Sequence, residues 1–264
     1  MKSLKSFFNS LVHVFVVIVL FSGCGRQYDH EENPNGSRIV TTNIISHCAK
    51  EKSEENRIFF NYPQFEGTYD DIHKMNDLIS KFISSALKEL CDGGFNGNLN
   101  DVPEIWEWDN NEYTLQAMDI AYNIVRNDSN YFSVVFEGLY NFKAAAHPLH
   151  YFNSLVIDVK KKEVIFLWDM YDMNGGFEAT VYNALQEKMQ NYGISDDPDD
   201  IFRSELDRAI HAFFQAAAEG KENFDRKFYL TDSAVGIYFA TAFEIVDHHL
   251  EFLISYEDLQ QYRK

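Results

Sequence analysis

The sequence predicts an α+β fold: a mainly antiparallel sheet of hairpins with helices packed on it, preceded by a signal peptide and a flexible tether. Three observations carry this reading. Alternating segments come in pairs joined by turn residues, two longer segments repeat their apolar residues at helical spacing, and strands and helices follow without regular βαβ alternation. The chain has 264 residues, 45% of them hydrophobic and 16% aromatic, which is enough to bury a sizeable core and excludes disorder for most of its length.

The opening segment reads as an export signal. Lys2 and Lys5 give a basic start, and residues 11–21 are apolar except for His13. A spanning helix needs about 20 such residues, so this shorter run fits a signal-peptide core. Phe21-Ser22-Gly23-Cys24 follows with the spacing of a bacterial lipobox, Phe21 standing where Leu is usual. Ser22 and Gly23 let a peptidase approach the backbone, and the Cys24 thiol can take a thioether-linked diacylglycerol. Residues 1–23 are thus expected to be removed, leaving a chain exported to the bacterial cell envelope and anchored to a membrane by lipid. Loss of Lys2 and Lys5 takes the net charge from −18 to −20.

Residues 24–55 are rich in Asn, Ser, Gly, Pro and Glu and read as the tether. Cys48 lies near its end and Cys91 well beyond. Outside the cytosol these two can pair, closing a loop worth about 4 kcal/mol of chain entropy, and two free buried thiols fit the sequence equally well.

The folded part divides into an N-terminal α+β half at 56–145 and a C-terminal half at 146–264, together expected to form one unit. Residues 57–60 are β-prone and end at Tyr62-Pro63. Ile72, Met75, Leu78, Ile79, Phe82, Ile83, Ala86, Leu87 and Leu90 then recur on one helical face, with Asp70 and Asp71 placed to cap it and Gly93-Gly94 to stop it. Segments 112–126 and 131–142 alternate around Asn127-Asp128-Ser129-Asn130, the chemistry of a hairpin. Segments 151–159 and 163–167 form a second hairpin around Lys160-Lys161-Lys162, giving four strands. Phe177, Val181, Leu185 and Met189 mark a helix. Another is announced by Asp197 as cap and Pro198 in its first turn, with Ile201, Leu206, Ala209, Ile210, Phe213, Phe214 and Ala217 as its stripe. Residues 228–230, 235–240 and 250–255 are final strands, and 257–262 a short closing helix.

Charge and motifs exclude more than they identify. Asp and Glu number 41 against 23 Lys and Arg, a balance that repels phosphate backbones and argues against nucleic acid. Three cysteines make no disulfide scaffold and no zinc finger. His147-Pro148-Leu149-His150 lacks a third ligand at metal spacing, and the adjacent His248 and His249 would point to opposite faces of a strand. The aspartates of 195–200 have Ile201 where a calcium loop needs Gly. No nucleophile elbow, phosphate loop or His-Glu-x-x-His occurs, so no catalytic residue, cofactor or metal is expected. Trp106 and Trp108 alternate around Glu107, either as packing anchors of a loop or as exposed binding aromatics.

From Tyr131 to Asp172 the features follow a recognisable order: a long hairpin, Ala144-Ala145-Ala146 into His147-Pro148, Asn153-Ser154-Leu155-Val156-Ile157-Asp158, a Lys-rich turn and Leu167-Trp168-Asp169-Met170-Tyr171. Tyr62-Pro63-Gln64-Phe65, Phe228-Tyr229-Leu230-Thr231-Asp232 and Ser255-Tyr256-Glu257-Asp258-Leu259 extend the match. In this the chain resembles the RsiV-type extracellular domain pair of unknown function, the outer part of lysozyme-sensing anti-sigma factors. The N-terminal half of that pair also accompanies PdaC-type peptidoglycan deacetylases. The resemblance implies a binding module for a basic protein of lysozyme type or for peptidoglycan, with His147 at the ligand. The family has Gly-Gly where this chain has Ala144-Ala145, so any need for positive φ there would strain it. Few residues precede the apolar run and no deacetylase domain follows, so neither sigma-factor control nor deacetylation is expected. The enzyme alternative would use His147 as acid or base beside Asp158 or Asp169.

Overall fold

The computed structural model describes residues 38–47, 56–67, 71–90, 98–102, 115–143, 145, 147–173, 175–191, 204, 207–208, 210–212, 214–215, 228–239 and 250–264. Six strands form one sheet in sequence order: β1 (Arg38–His47), β2 (Arg57–Glu66), β3 (Leu115–Asn127), β4 (Tyr131–Phe142), β5 (Leu149–Asp158) and β6 (Glu163–Val164). Three more, β7 (Phe228–Leu230), β8 (Ala234–Phe239) and β9 (Leu250–Ser255), form a second, antiparallel sheet. The helices are α1 (Ile72–Leu90), α2 (Leu167–Met170), α3 (Gly175–Asn191) and α4 (Tyr256–Leu259), with further helical residues between 204 and 215. The α+β class holds.

The first sheet is wider than two hairpins because a strand occupies much of the expected tether. All ten residues of β1 pair with β2, from Arg38 opposite Glu66 to His47 opposite Arg57. Ile39, Val40, Thr41, Thr42, Ile44 and Ile45 supply the β-branched side chains that favour this, and Ile44 joins the core. The Asn-, Ser- and Glu-rich flanks hide that signal when 24–55 is averaged as one segment. β2 runs parallel to β3 over Ile58–Phe60, the connection passing through α1, so the sheet contains one crossover among its hairpins.

α1 covers one face of this sheet with Ile72, Met75, Ile79, Phe82, Ile83, Ala86 and Leu87, all buried. Its partners include Phe60, Met118, Ile120, Phe132, Phe136, Leu155 and Ile157, and Phe82 stacks on Phe136 at 5.0 Å. The Asn76 side chain accepts from Phe65 N at 2.8 Å and donates to Phe65 O at 2.9 Å, fixing the helix against the end of β2. Asp71 starts the helix through its backbone carbonyl, while its carboxylate pairs with Lys162 and Lys74. Gly138 lies where a Cβ would fall 2.0 Å from the Asp119 carbonyl oxygen, a close strand approach that excludes any other residue.

The opposite face of β4 and β5 receives the second sheet. β7 lies across it, with Leu230 N donating to Ser133 Oγ at 2.9 Å and Ser154 Oγ donating to Phe228 O at 2.6 Å. Both serines are fully buried. Val156 from this face joins Phe177, Val181, Leu185, Ile210, Phe214, Phe228, Leu230, Val235, Ile237, Phe252 and Ile254 in a second core. β5 therefore has both faces covered, which is why Leu155-Val156-Ile157 reads as an unbroken apolar run. Leu167 ends no strand: Asp169 caps Phe166 N at 2.9 Å and turns Leu167–Met170 into α2. The closing helix begins one residue early, at Tyr256, capped by Ser255 Oγ on Asp258 N.

Replacing Ser133 with Ala leaves the Leu230 amide without its acceptor in a dry seam and is expected to destabilise the protein by about 1–3 kcal/mol. Ser154→Ala, which strands a carbonyl, is expected to cost less. Urea unfolding of both variants, with the slope unchanged, checks the order.

Candidate functional site

His147, at the loop between β4 and β5, is exposed, and its Nδ1 lies 3.2 Å from Pro148 O, within hydrogen-bond reach. Asp158 lies at the other end of β5, about 30 Å away at 3.3 Å per residue, and its carboxylate accepts from Lys160 N and Lys161 N. Asp169 is committed to its cap. His147 and Asp158 thus stand at opposite ends of β5. Ala145 has ordinary backbone, since Lys162 is the non-glycine residue with positive φ among those described. Cys24, Cys48, Cys91, Trp106 and Trp108 lie outside the described residues, as do His248, His249 and the acidic stretch at 195–200. Among the described residues no group of three His, Cys, Asp or Glu could hold a metal ion.

What the fold does bring together is a corner where the part of the β4 and β5 face beyond β7, left open by the described residues, meets the outer face of the second sheet. Alternation on β4 places Glu137 and Leu139 on this face, opposite Phe152 and His150 of β5. Phe152 stacks on Tyr238 at 4.2 Å. Tyr229 lies across Gly236, where an added Cβ would sit 2.1 Å from the ring, and its hydroxyl donates a short hydrogen bond to Glu251. Burial and the neighbouring Glu251 carboxylate raise the pKa of Glu137, with His150 opposing. Burial and the bond to Glu251 push Tyr229 well above the usual phenol range. The corner is a junction of carboxylates and aromatic rings. No motif marks it, because its members come from five strands, β4, β5, β7, β8 and β9. Period-two alternation alone puts Glu137 and Leu139 on one face.

Among the described residues three large apolar side chains stand out in solvent: Ile45 at 54% exposure, Leu139 at 43% and Leu253 at 57%. Ile45 neighbours Phe59 and Asp119 across β1, β2 and β3, with Arg57 over the Phe59 ring at 4.8 Å and 4.0 Å from Asp119. Leu253 borders an open groove of about 760 Å³ between α3, β9 and α4.

A polar clamp holds the two sheets in register beside these surfaces. Arg126 at the end of β3 donates to Asp128 at 2.6 Å, to the Tyr256 hydroxyl at 2.8 Å and to Thr231 O at 3.2 Å, with Tyr131 stacked below at 5.0 Å. Asp128 also accepts from the amides of Asn130 and Tyr131. Burial alone would raise the Asp128 pKa, but those amides and Arg126 outweigh it and hold the carboxyl below its ordinary value.

No family model and no curated protein matches the sequence. Solved structures do match the fold. A DUF3298 family protein from Pseudomonas aeruginosa PAO1 aligns with a TM-score of 0.52 at 14% identity, over 86% of this chain and 94% of that one. A DUF3298 family member from Bacteroides fragilis NCTC 9343 aligns with a TM-score of 0.51 at 13% identity, over 86% and 93%. The fold is the one those two crystal structures show.

A carboxyl held low in the folded state stabilises it above the unfolded pKa, and that contribution disappears as pH falls through the folded value. Arg126→Met is therefore expected to lose about 1–3 kcal/mol at neutral pH. The difference from the parent protein should shrink below about pH 4. Paired urea titrations at neutral and acid pH check both.

Proposed function

We propose that the chain is a surface-tethered, non-enzymatic binding module of the bacterial cell envelope that captures a cationic protein of lysozyme type. The observation that carries this is the uncovered sheet face, where Ile45 and Leu139 project beside Asp119 and Glu137 on a protein of net charge −18. Exposed apolar side chains set among carboxylates suit a basic partner, because charge steers the encounter and apolar contact retains it. The lipobox at Cys24 and the RsiV-type order of motifs supply the location and the partner class, and the fold shared with the DUF3298 structures is compatible with both.

A cell-wall ligand is the second reading, favoured by the corner itself. The corner sets Glu137 beside Glu251, and a pair of carboxyl groups is what glycoside chemistry uses. A peptidoglycan-active enzyme or enzyme accessory would draw on the same pair, with Glu137 as its acid.

Calorimetry of the chain from residue 32 onward with a c-type lysozyme, at low and at physiological salt, tests the first reading. Starting at residue 56 would remove β1 and expose β2. Binding should appear at low salt and weaken by about tenfold or more at physiological salt. No heat at either salt overturns the lysozyme version, and turnover of purified cell wall by this protein would establish the enzyme instead.

A further inference from the structure

Resting on the binding-module reading, we propose that the groove between α3, β9 and α4 is where an extended basic peptide segment of the partner docks. The groove is open and long, about 760 Å³, and a second depression of about 340 Å³ continues it along β9, sharing Ala184, Glu187 and Leu253. Its apolar part is narrow: Leu253, more than half exposed, projects from the outer strand of the second sheet and lines the groove with Ile254 and with Ala184 of α3. Asn183 on one wall and Gln260 and Gln261 at the end offer amide groups of the kind that bond a peptide backbone.

Charge decides the occupant. Glu187 from α3 and Glu257 from α4 are exposed on the lining, Asp258 and Glu251 add to them, and Lys188 is the single basic residue among the side chains that line the two depressions. An anionic segment would be repelled, and a neutral one would leave the carboxylates without a counter-charge. A glycan is disfavoured because the lining rings, Tyr229 and Phe252, are themselves buried and present no face for stacking. An extended chain with Lys or Arg side chains directed at Glu187 and Glu257, and a small apolar residue over Leu253, satisfies floor, wall and rim together.

The test compares the full-length chain in detergent with its Glu187→Lys/Glu257→Lys variant and an Asp77→Lys/Glu89→Lys control on the exposed side of α1, which changes the net charge equally. Affinity at low salt is measured by fluorescence anisotropy for labelled c-type lysozyme, an oligolysine decapeptide and a chitooligosaccharide, after thermal melts confirm that all three proteins fold alike. The groove reversal should weaken lysozyme and oligolysine binding by about tenfold or more while the α1 control changes it less than about twofold. Lysozyme binding that is unaffected by the groove reversal overturns the groove and leaves the module reading standing. Oligolysine binding that the groove reversal abolishes, with no binding of lysozyme, supports the groove and removes lysozyme as the partner. No binding of either cationic probe overturns both readings, and chitooligosaccharide binding lost in the groove variant replaces the peptide with a glycan.

Discussion

The edge of β7 finds hydrogen-bond partners on the face of another sheet, and that docking seats the second sheet on the first. A strand edge is normally satisfied by a neighbouring strand or left to solvent. Here Ser133 and Ser154 reach from β4 and β5 to the Leu230 amide and the Phe228 carbonyl, so side chains stand in for a missing strand. The arrangement asks for a short hydroxyl at two points in an otherwise apolar run. An aliphatic side chain of similar size would fill the space and leave the backbone groups unpaired at the place where water is excluded. Once β7 is seated, Phe228 and Leu230 close over Val156, and the second core follows.

The Arg126 cluster secures the same junction from its rim. It joins the turn after β3 to the turn after β7 and to the start of α4, with the guanidinium fixed by a carboxylate, a phenol and a carbonyl and sandwiched by rings. A lysine could not reproduce this, since a single ammonium lacks the planar spread of donors. The buried serines and the arginine divide the work: the first satisfy backbone in the dry interior, the second sets the angle where solvent begins.

Local chemistry made much of the fold legible. Asn127-Asp128-Ser129-Asn130 marked its hairpin, and the α1 stripe named its own buried face. Elements set by distant partners were not legible. β1 is a strand because β2 offers an edge for its whole length, and its composition flanked by polar residues looked like tether. Leu167 left its expected strand because Asp169 had a cap to make. The second sheet could be seen as three strands, but its separation from the first depends on Ser133 and Ser154, which read as polar breaks in apolar segments. The site was less legible still. His147 is exposed beside Pro148 O, and the Glu137–Glu251 corner forms only when β4 and β9 are brought together across more than a hundred residues.

The place where the described chain begins its sheet bears on how such a module would hang. β1 is the outermost strand, and four strand spacings, about 19 Å, separate it from β5, where the second sheet is docked. A chain held by its leading segment would be suspended from one margin, like a flag from its hoist, with the α3 groove on the free side. Thermal swing about that margin would sweep the far end of the sheet through the surrounding fluid.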